Sequence, residues 1–258
     1  MNQAELKKLS KSLSDKIKKS RLNSSFQENP FKHCVIDDFF DESLAFKFLN
    51  AFPSLDDKIW DVTNDENIEV KYRTTFESEF DIPDDLIIAF RVFNSAPFLK
   101  SISEAFDIPK LLSDPYYTGG GLNITEKGGL LDVHVDGNYH DASGLNRRIN
   151  VIFYLNPEWE NGWGGEFGLY NEDGTELIKK VAPLFNRLII FDTHDKSFHG
   201  LPDPLNFPEG KNRKSIILYF YTKDLRKPEH NIYEAPHSAL WVKKNINDKR
   251  GNKLRPFK

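Results

Sequence analysis

The sequence is short of the features that mark secreted, membrane-spanning or repetitive proteins. Its 258 residues hold one cysteine, Cys34, which excludes an intrachain disulfide framework and any clustered cysteine metal site. A reducing, cytoplasmic setting is the expectation that follows. No apolar run approaches the roughly 18 residues of a membrane helix. The opening MNQAELKKLSKSLSDKIKKSR has lysines but no apolar stretch behind them, so it does not read as a secretory signal. Internal repeats and low-complexity tracts are missing as well. What is left, 39% hydrophobic and 29% charged, is the composition of an ordinary soluble globular chain. Its length suits one large domain or two small ones.

Charge is unevenly spread. Residues 1–21 carry seven Lys/Arg against Glu5 and Asp15, a net +5, and residues 241–258 carry seven against Asp248, a net +6. With −4 for the whole chain, residues 22–240 sum to −15. An acidic body between basic ends argues against a domain-wide nucleic-acid footprint, though not against a basic tail touching polyanions. Solvated, partly frayed ends are the plainer expectation.

Along the chain, Leu6, Leu9, Leu13 and Ile17 recur at near-helical spacing. They predict an amphipathic helix over 3–20 that caps the body, pairs with a second subunit or lies outside it. RLNSSFQENPF reads as a connection, with Pro30 stopping any helix. HCVIDDFF, 33–40, is a strand candidate, and Asp41 is placed to cap a helix whose Leu44, Phe48 and Phe52 share a face. Residues 56–70 are acidic and aperiodic, which predicts a surface loop; helical patterns return over 84–94 and 96–107. From about residue 115 the runs GGGLNIT, RINVIFYL, GEFGLY, RLIIFD and KSIILYFYT are β-branched and aromatic, separated by Gly, Asn, Asp and Pro. No useful helix fits between 118 and 222. Strands packed this densely after a helical half predict one α+β domain with an antiparallel sandwich or barrel of jelly-roll type.

The segment LLDVHVDGNYH carries the most chemistry. His134 and Asp136 are two apart, so on a strand both side chains leave one face. An imidazole beside a carboxylate suits Fe(II), Mn(II) or Zn(II), although a hydrogen-bonded surface pair has the same spelling. His199 follows 63 residues later, after RLIIFD and the turn-like THDKSF. Two histidines and one carboxylate can occupy one face of an octahedron, leaving three positions open. Arg213 offers a planar cationic fork for a carboxylate inside a barrel. Ser215 shares its strand parity, and Tyr154 could point a phenol at the same anion.

Taken in order, HVD at 134–136, HG at 199–200 and RKS at 213–215 resemble the Fe(II)- and 2-oxoglutarate-dependent oxygenases, in particular their prolyl 4-hydroxylase-like branch. YYTGGGLN, INVIFYLNPEW, WGGEFGLY, PLFNRLIIFD and the opening PFKHCVIDDFFDESLAFKFLNAFP look similar as well, so the resemblance covers about residues 30–240. It implies a double-stranded β-helix (jelly-roll) core supported by a helical N-terminal half. It also implies iron ligands at His134, Asp136 and His199, with Arg213 on the distal carboxylate of 2-oxoglutarate and Tyr154 hydrogen-bonded to it. Some relatives place a further tyrosine about ten residues before the first histidine. Here that neighbourhood holds Asn123 and Ile124, and Asn123 is the candidate stand-in. His194, five residues before His199, is the rival distal ligand. His199 is preferred because it precedes Gly and stands nearer Arg213.

The remaining candidates have plainer readings beside functional ones. His140 either lines the pocket or is a solvated loop residue, and His33, His230 and His237 read as structural or surface. One of Arg147 and Arg148 is expected at the mouth, and Tyr219 inside. Trp159 and Trp163 read as turn packing, Gly164-Gly165 as a bend. The domain expectation is a basic helical extension over 1–29, an oxygenase domain over 30–240 and a basic tail over 241–258. Removing residues 1–21 should then leave turnover intact. The expected activity is hydroxylation of a prolyl or related residue in a peptide or protein with Fe(II), 2-oxoglutarate and O2, ascorbate in support, releasing succinate and CO2. The carboxylate at Asp136 favours hydroxylation over halogenation. The alternatives are the same chemistry on a free amino acid, sugar or other metabolite, or a jelly-roll module that binds a ligand or metal without turnover. A zinc hydrolase fits less well, for want of a general base at fixed spacing. The sequence carries no membrane signature and leaves oligomeric state open.

Overall fold

The periodic apolar positions of the N-terminal half become helices, and the β-branched runs beyond them one antiparallel sheet. A computed structural model describes residues 1–66, 68–224, 226–233 and 235–242. In chain order these form α1 (Gln3–Ser20), β1 (Phe26–Gln27), β2 (His33–Ile36), α2 (Glu42–Asn50), β3 (Trp60–Asp65), β4 (Glu69–Thr74), α3 (Ile87–Phe93) and α4 (Ala96–Phe106). Then come β5 (Leu112–Ser113), β6 (Gly121–Thr125), β7 (Leu130–Val135), β8 (Asn146–Tyr154) and β9 (Phe167–Tyr170). The sheet is completed by β10 (Leu177–Val181), β11 (Arg187–Asp192), β12 (His199–Leu201), β13 (Arg213–Thr222) and β14 (Leu240–Trp241). No α-helix forms between 118 and 222, as the strand density predicts.

The helices begin and end where their side chains dictate. Asn2 caps α1 by accepting from the amides of Ala4 and Glu5, while the Glu5 carboxylate accepts from the Asn2 amide. Ser95 caps α4 through the Phe98 amide, and Asp107 in the left-handed conformation ends it. Arg21, at the end of α1, donates to both Asp107 oxygens. Leu13 and Ile17 are buried in the cluster formed by α2, α3, α4 and the helix-facing side of the sheet, and the Cys34 thiol donates to Ser20. The predicted helix therefore caps the body. Its packing is continuous with that of residues 30–240.

Strands run in the order β1-β2-β11-β8-β13-β6-β4-β7-β12-β9-β10, all antiparallel, with β3 on β4, β5 on β13 and β14 on β7. β4 bends the sheet, pairing with β6 at Tyr72 and Arg73 and with β7 at Glu69 and Val70. The sheet thus curls on itself as a jelly roll, the α+β class expected from sequence. Period-2 alternation sorts the residues. On β8 and β13, Ile149, Val151, Phe153, Ile216, Leu218 and Phe220 face the helices. Ile152, Tyr154 and Ile217 face the concave interior with Phe167, Ile189 and Phe191.

One expectation fails. Residues 56–70 are not a plain loop, because β3 and β4 make a hairpin over 60–74. Its strands lack apolar alternation because they meet the core at only two side chains, Trp60 and Tyr72, while Glu69, Lys71 and Arg73 face the cavity, Lys71 pairing with Glu69 and Arg73 with Asp61. So sparse an apolar pattern mimics a loop. Of the predicted basic tail over 241–258, residues 243–258 lie outside the described residues.

Candidate active site

The sheet register brings His134 and His199 together. They are direct cross-strand partners on β7 and β12, with ring centroids 4.5 Å apart. Asp136 follows the end of β7 and points back between them, 3.4 Å from His134 Nε2 and 3.5 Å from His199 Nε2. Each imidazole has its Nδ1 on a carbonyl two residues earlier, His134 on Asp132 at 2.8 Å and His199 on Ser197 at 2.9 Å. That bond assigns the proton to Nδ1 and leaves both Nε2 lone pairs aimed at the carboxylate. Burial pushes the His199 pKa down to about 4, so it is neutral and able to ligate at ordinary pH. Burial alone would raise the Asp136 pKa. The adjoining His199, His134 and Arg147 hold it well below the usual carboxylate range. Phe167 and Trp241, tilted, and Phe191, edge-on, pack around the imidazoles with centroids 4.6–5.2 Å away. Two nitrogens of buried histidines and one oxygen of the half-buried Asp136, all within 4.8 Å of one another, form a donor set that fits a divalent transition metal.

A second polar group lies deeper in the barrel. Arg213 donates Nε to Gly165 O at 3.0 Å and Nη2 to the Tyr154 hydroxyl at 3.1 Å. Burial lowers its pKa, and no carboxylate among the described residues is in ion-pair range. Ser215 pairs with Asn123 on one side and Tyr154 on the other, so all three share a row with Arg213 one side-chain step away. Ser215 Oγ and both ends of the Asn123 amide are buried without a partner. Orphaned donors around a buried, unneutralised guanidinium fit a carboxylate ligand. Gly165 sits against this group in a left-handed conformation, where a Cβ would stand 3.1 Å from Arg213 Cδ. The bend at Gly164-Gly165 therefore also makes room for Arg213.

Between the triad and solvent lies a cavity of about 770 Å3, rimmed by Glu69, Lys71, Arg73, His140 and Asp141 and floored by Ile152, Ile217, Phe167 and Phe191. Arg147 faces it, with its guanidinium 3.9 Å above the Tyr219 ring and 3.7 Å from Asp136, so Arg147 is the arginine at the mouth. Arg148 points elsewhere, toward Asp192. His140 is buried against Asp114 at 3.1 Å and lines the cavity; it is not a solvated loop residue.

His194 does not reach the triad. It stacks on His230 at 4.3 Å beside Asp192, a second convergence of ligand types. Its Nδ1 already accepts from the Lys196 amide, and Arg148, Arg226, Lys32 and Lys227 surround Asp192, a field unfavourable to a cation. His33 and His237 are buried on protein partners. Trp159 and Trp163 pack the turn, the indole of Trp159 donating to Gly164 O. Sequence reasoning missed Asn150, whose amide donates to Asp136. Its parity with Ile152 and Tyr154 on RINVIFYL was the signal that could have found it.

The curled antiparallel jelly roll thus holds a His-X-Asp…His donor set for a divalent metal and, in the same barrel, a buried arginine. Residues 120–221, about two fifths of the chain, match the family profile of the 2OG-Fe(II) oxygenase superfamily. Among characterised proteins, the prolyl 3-hydroxylase OGFOD1 of Mus musculus is 34% identical over 101 residues, 38% of this chain and 18% of that protein. The Xenopus laevis OGFOD1 is 32% identical over 106 residues, 38% of this chain and 20% of that protein. The matched stretch thus spans about a fifth of these relatives' length. Among solved structures, a prolyl hydroxylase from Trichoplax adhaerens, in complex with a hypoxia inducible factor peptide fragment, superposes with a TM-score of 0.59. It is 17% identical, over 86% of this chain and 94% of that one. A Pseudomonas putida prolyl-4-hydroxylase gives a TM-score of 0.56 at 14% identity, over 83% and 100%. At these identities the structures speak for the fold.

Proposed function

We propose that this chain is an Fe(II)- and 2-oxoglutarate-dependent dioxygenase that hydroxylates a prolyl residue in a peptide or protein. The carrying observation is the pairing, inside one barrel, of a His-Asp-His set with a buried arginine that has no counter-charge among the described residues. In this reading His134, Asp136 and His199 hold the metal. Arg213, Tyr154, Ser215 and Asn123 hold the far carboxylate of 2-oxoglutarate. Bound iron, with 2-oxoglutarate and O2, would supply oxidative decarboxylation coupled to C–H hydroxylation, leaving succinate and CO2, with ascorbate as a supporting reductant. The protein's part is placement. Nδ1–H bonds fix both imidazoles, and Asn150 fixes the carboxylate. Phe167, Phe191, Ile152 and Ile217 keep water from the interior. Arg147 stands where a peptide carbonyl would meet a donor at the mouth.

Two things favour a peptide over a free metabolite. The cavity, about 770 Å3 with a charged rim, is larger than a single amino acid needs. The OGFOD1 relatives and the structural neighbours carry prolyl hydroxylase names. A single buried thiol suits the cytoplasm. The test offers proline-containing peptides with Fe(II), 2-oxoglutarate and ascorbate and reads mass. One peptide gaining one oxygen, absent with His134→Ala, is the expected result. Succinate release accompanied by oxygen gain only on small metabolites would overturn the peptide assignment.

A further inference from the structure

One wall of the cavity is built by chain beyond the 120–221 match. Pro236, His237, Ser238, Ala239 and Trp241 line it. This strap is tied to both segments that carry the candidate ligands. On the His134 side, β14 pairs Trp241 with His134 and Leu240 with Val135, and the Val242 amide donates to Val133 O at 2.9 Å. The His237 amide donates to Asn138 Oδ1 at 2.9 Å, and the Asn138 amide returns a bond to His237 O at 3.2 Å. Gly137 permits this approach, since a Cβ there would stand 2.9 Å from His237 O. On the His199 side the tie is Asp195, whose side chain is wholly buried. It accepts from Arg226 Nη1 at 2.9 Å, from His237 Nε2 at 3.1 Å and from the amides of Ile232 and Tyr233 at 2.8 and 3.0 Å. Four donors on one buried carboxylate hold a strap that otherwise has little regular structure.

The strap carries a half-buried indole beside the imidazole of His134. The Trp241 ring lies 4.6 Å from that of His134 at an interplanar angle of 32°, and it faces the cavity. A rigid, flat apolar surface next to the reacting position is what a prolyl ring packs against, through its polarised C–H groups. We propose that Trp241 is a specificity-determining residue for the substrate and that Asp195 is the residue that positions it. The first part rests on the peptide-hydroxylase reading, whereas the second does not.

The experiment therefore has two arms. In the first, metal-free protein is titrated with Co(II) and tryptophan emission is read beside the visible absorption of bound Co(II). A paramagnetic ion on His134 quenches Trp241 more than Trp60, Trp159 or Trp163. Trp241→Phe should lose most of the quench, and Asp195→Ala should lose at least half of it while still binding Co(II). Asp195→Asn, which keeps an acceptor for the two backbone amides, should fall between. Full quenching in Asp195→Ala, or in Trp241→Phe, overturns the strap assignment. In the second arm, Trp241→Ala should raise the peptide KM at least tenfold, more than it raises the KM for 2-oxoglutarate, and Trp241→Phe should recover most of that rise. Equal effects on the two KM values overturn the specificity role. Wild-type protein that turns over no peptide overturns the hydroxylase reading, and with it the role given to Trp241, leaving the Co(II) arm to judge Asp195.

Discussion

Arg213 is a cation held in an apolar barrel by a carbonyl and a phenol, and neither neutralises it. Such a group costs several kcal/mol to bury, so a ligand that brings a carboxylate gains what the protein left unmatched. Arg213→Ala should raise the Kd for 2-oxoglutarate about a hundredfold or more, in the range of a lost buried charge pair. Tyr154→Phe should cost roughly tenfold or less, one hydrogen bond's worth. Calorimetric titration of the Mn(II)-loaded protein reads both. Equal affinity in Arg213→Ala and wild type would remove the cosubstrate assignment. Arg213 and Ser215 were legible in the sequence through their shared strand parity, and Tyr154 through the resemblance of INVIFYLNPEW to the oxygenase pattern. Asn150 shared the parity of Tyr154, yet a lone amide inside a β-branched run announces no chemistry until its partner is known.

His33 shows the other use of a buried histidine at this scale. Its Nδ1 bonds Phe31 O and its Nε2 faces the Lys179 ammonium, so burial first, with Lys179 adding to it, pushes its pKa down to about 4. The folded value lies below the ordinary 6.5, so the unfolded chain takes up the proton first. This contribution to stability is whole above pH 6.5 and is lost as pH falls toward 4, amounting to about 3 kcal/mol. His194, pushed to about 3, acts in the same sense, and Asp192, raised to about 6, in the opposite one. The clean readout is therefore a difference. Urea denaturation of His33→Gln should show a shallower loss of stability between pH 6.5 and 4 than wild type. Parallel curves would mean His33 is not a buried neutral imidazole.

At the scale of elements, α1 matters more than its charge pattern implied. Leu13 and Ile17 join a core shared with α4 and the sheet, so the helix cannot be removed without exposing that core. Ile17→Ala should destabilise the whole fold by about 2–5 kcal/mol, seen as a single shifted transition. A change confined to helix content, with the main transition unmoved, would make α1 a separate appendage. Accordingly, deletion of residues 1–21 is now expected to cost stability before it costs turnover. The spacing of Leu6, Leu9, Leu13 and Ile17 made the helix itself readable, but no local pattern says which surface an apolar stripe will meet. The β3–β4 hairpin was misread for a related reason. Only Trp60 and Tyr72 reach the core; its other partners are the cavity and its own opposite charges, and hydrophobic alternation signals only burial against an apolar layer.

For the whole molecule, the matched segment 120–221 supplies the barrel strands β6 to β13 and all four groups that matter most: His134, Asp136, His199 and Arg213. Their order along the chain carried the fold class and the site together, since a jelly roll brings β7 and β12 into register. Outside that segment only the opening PFKHCVIDDFFDESLAFKFLNAFP carried any of that resemblance. How α1 closes the helical layer, how β4 turns the corner of the sheet and how Asp195 ties down the strap are long-range contacts that only folding reveals. The central claim is that the two buried polar groups act as one machine, metal above and 2-oxoglutarate below. It is tested most directly by measuring succinate and hydroxylated peptide in the same reaction, for wild type and Asp136→Ala. The expected result is about one succinate per hydroxyl in wild type and neither product in the variant. Peptide hydroxylation that proceeds without succinate, or at full rate in Asp136→Ala, would contradict it.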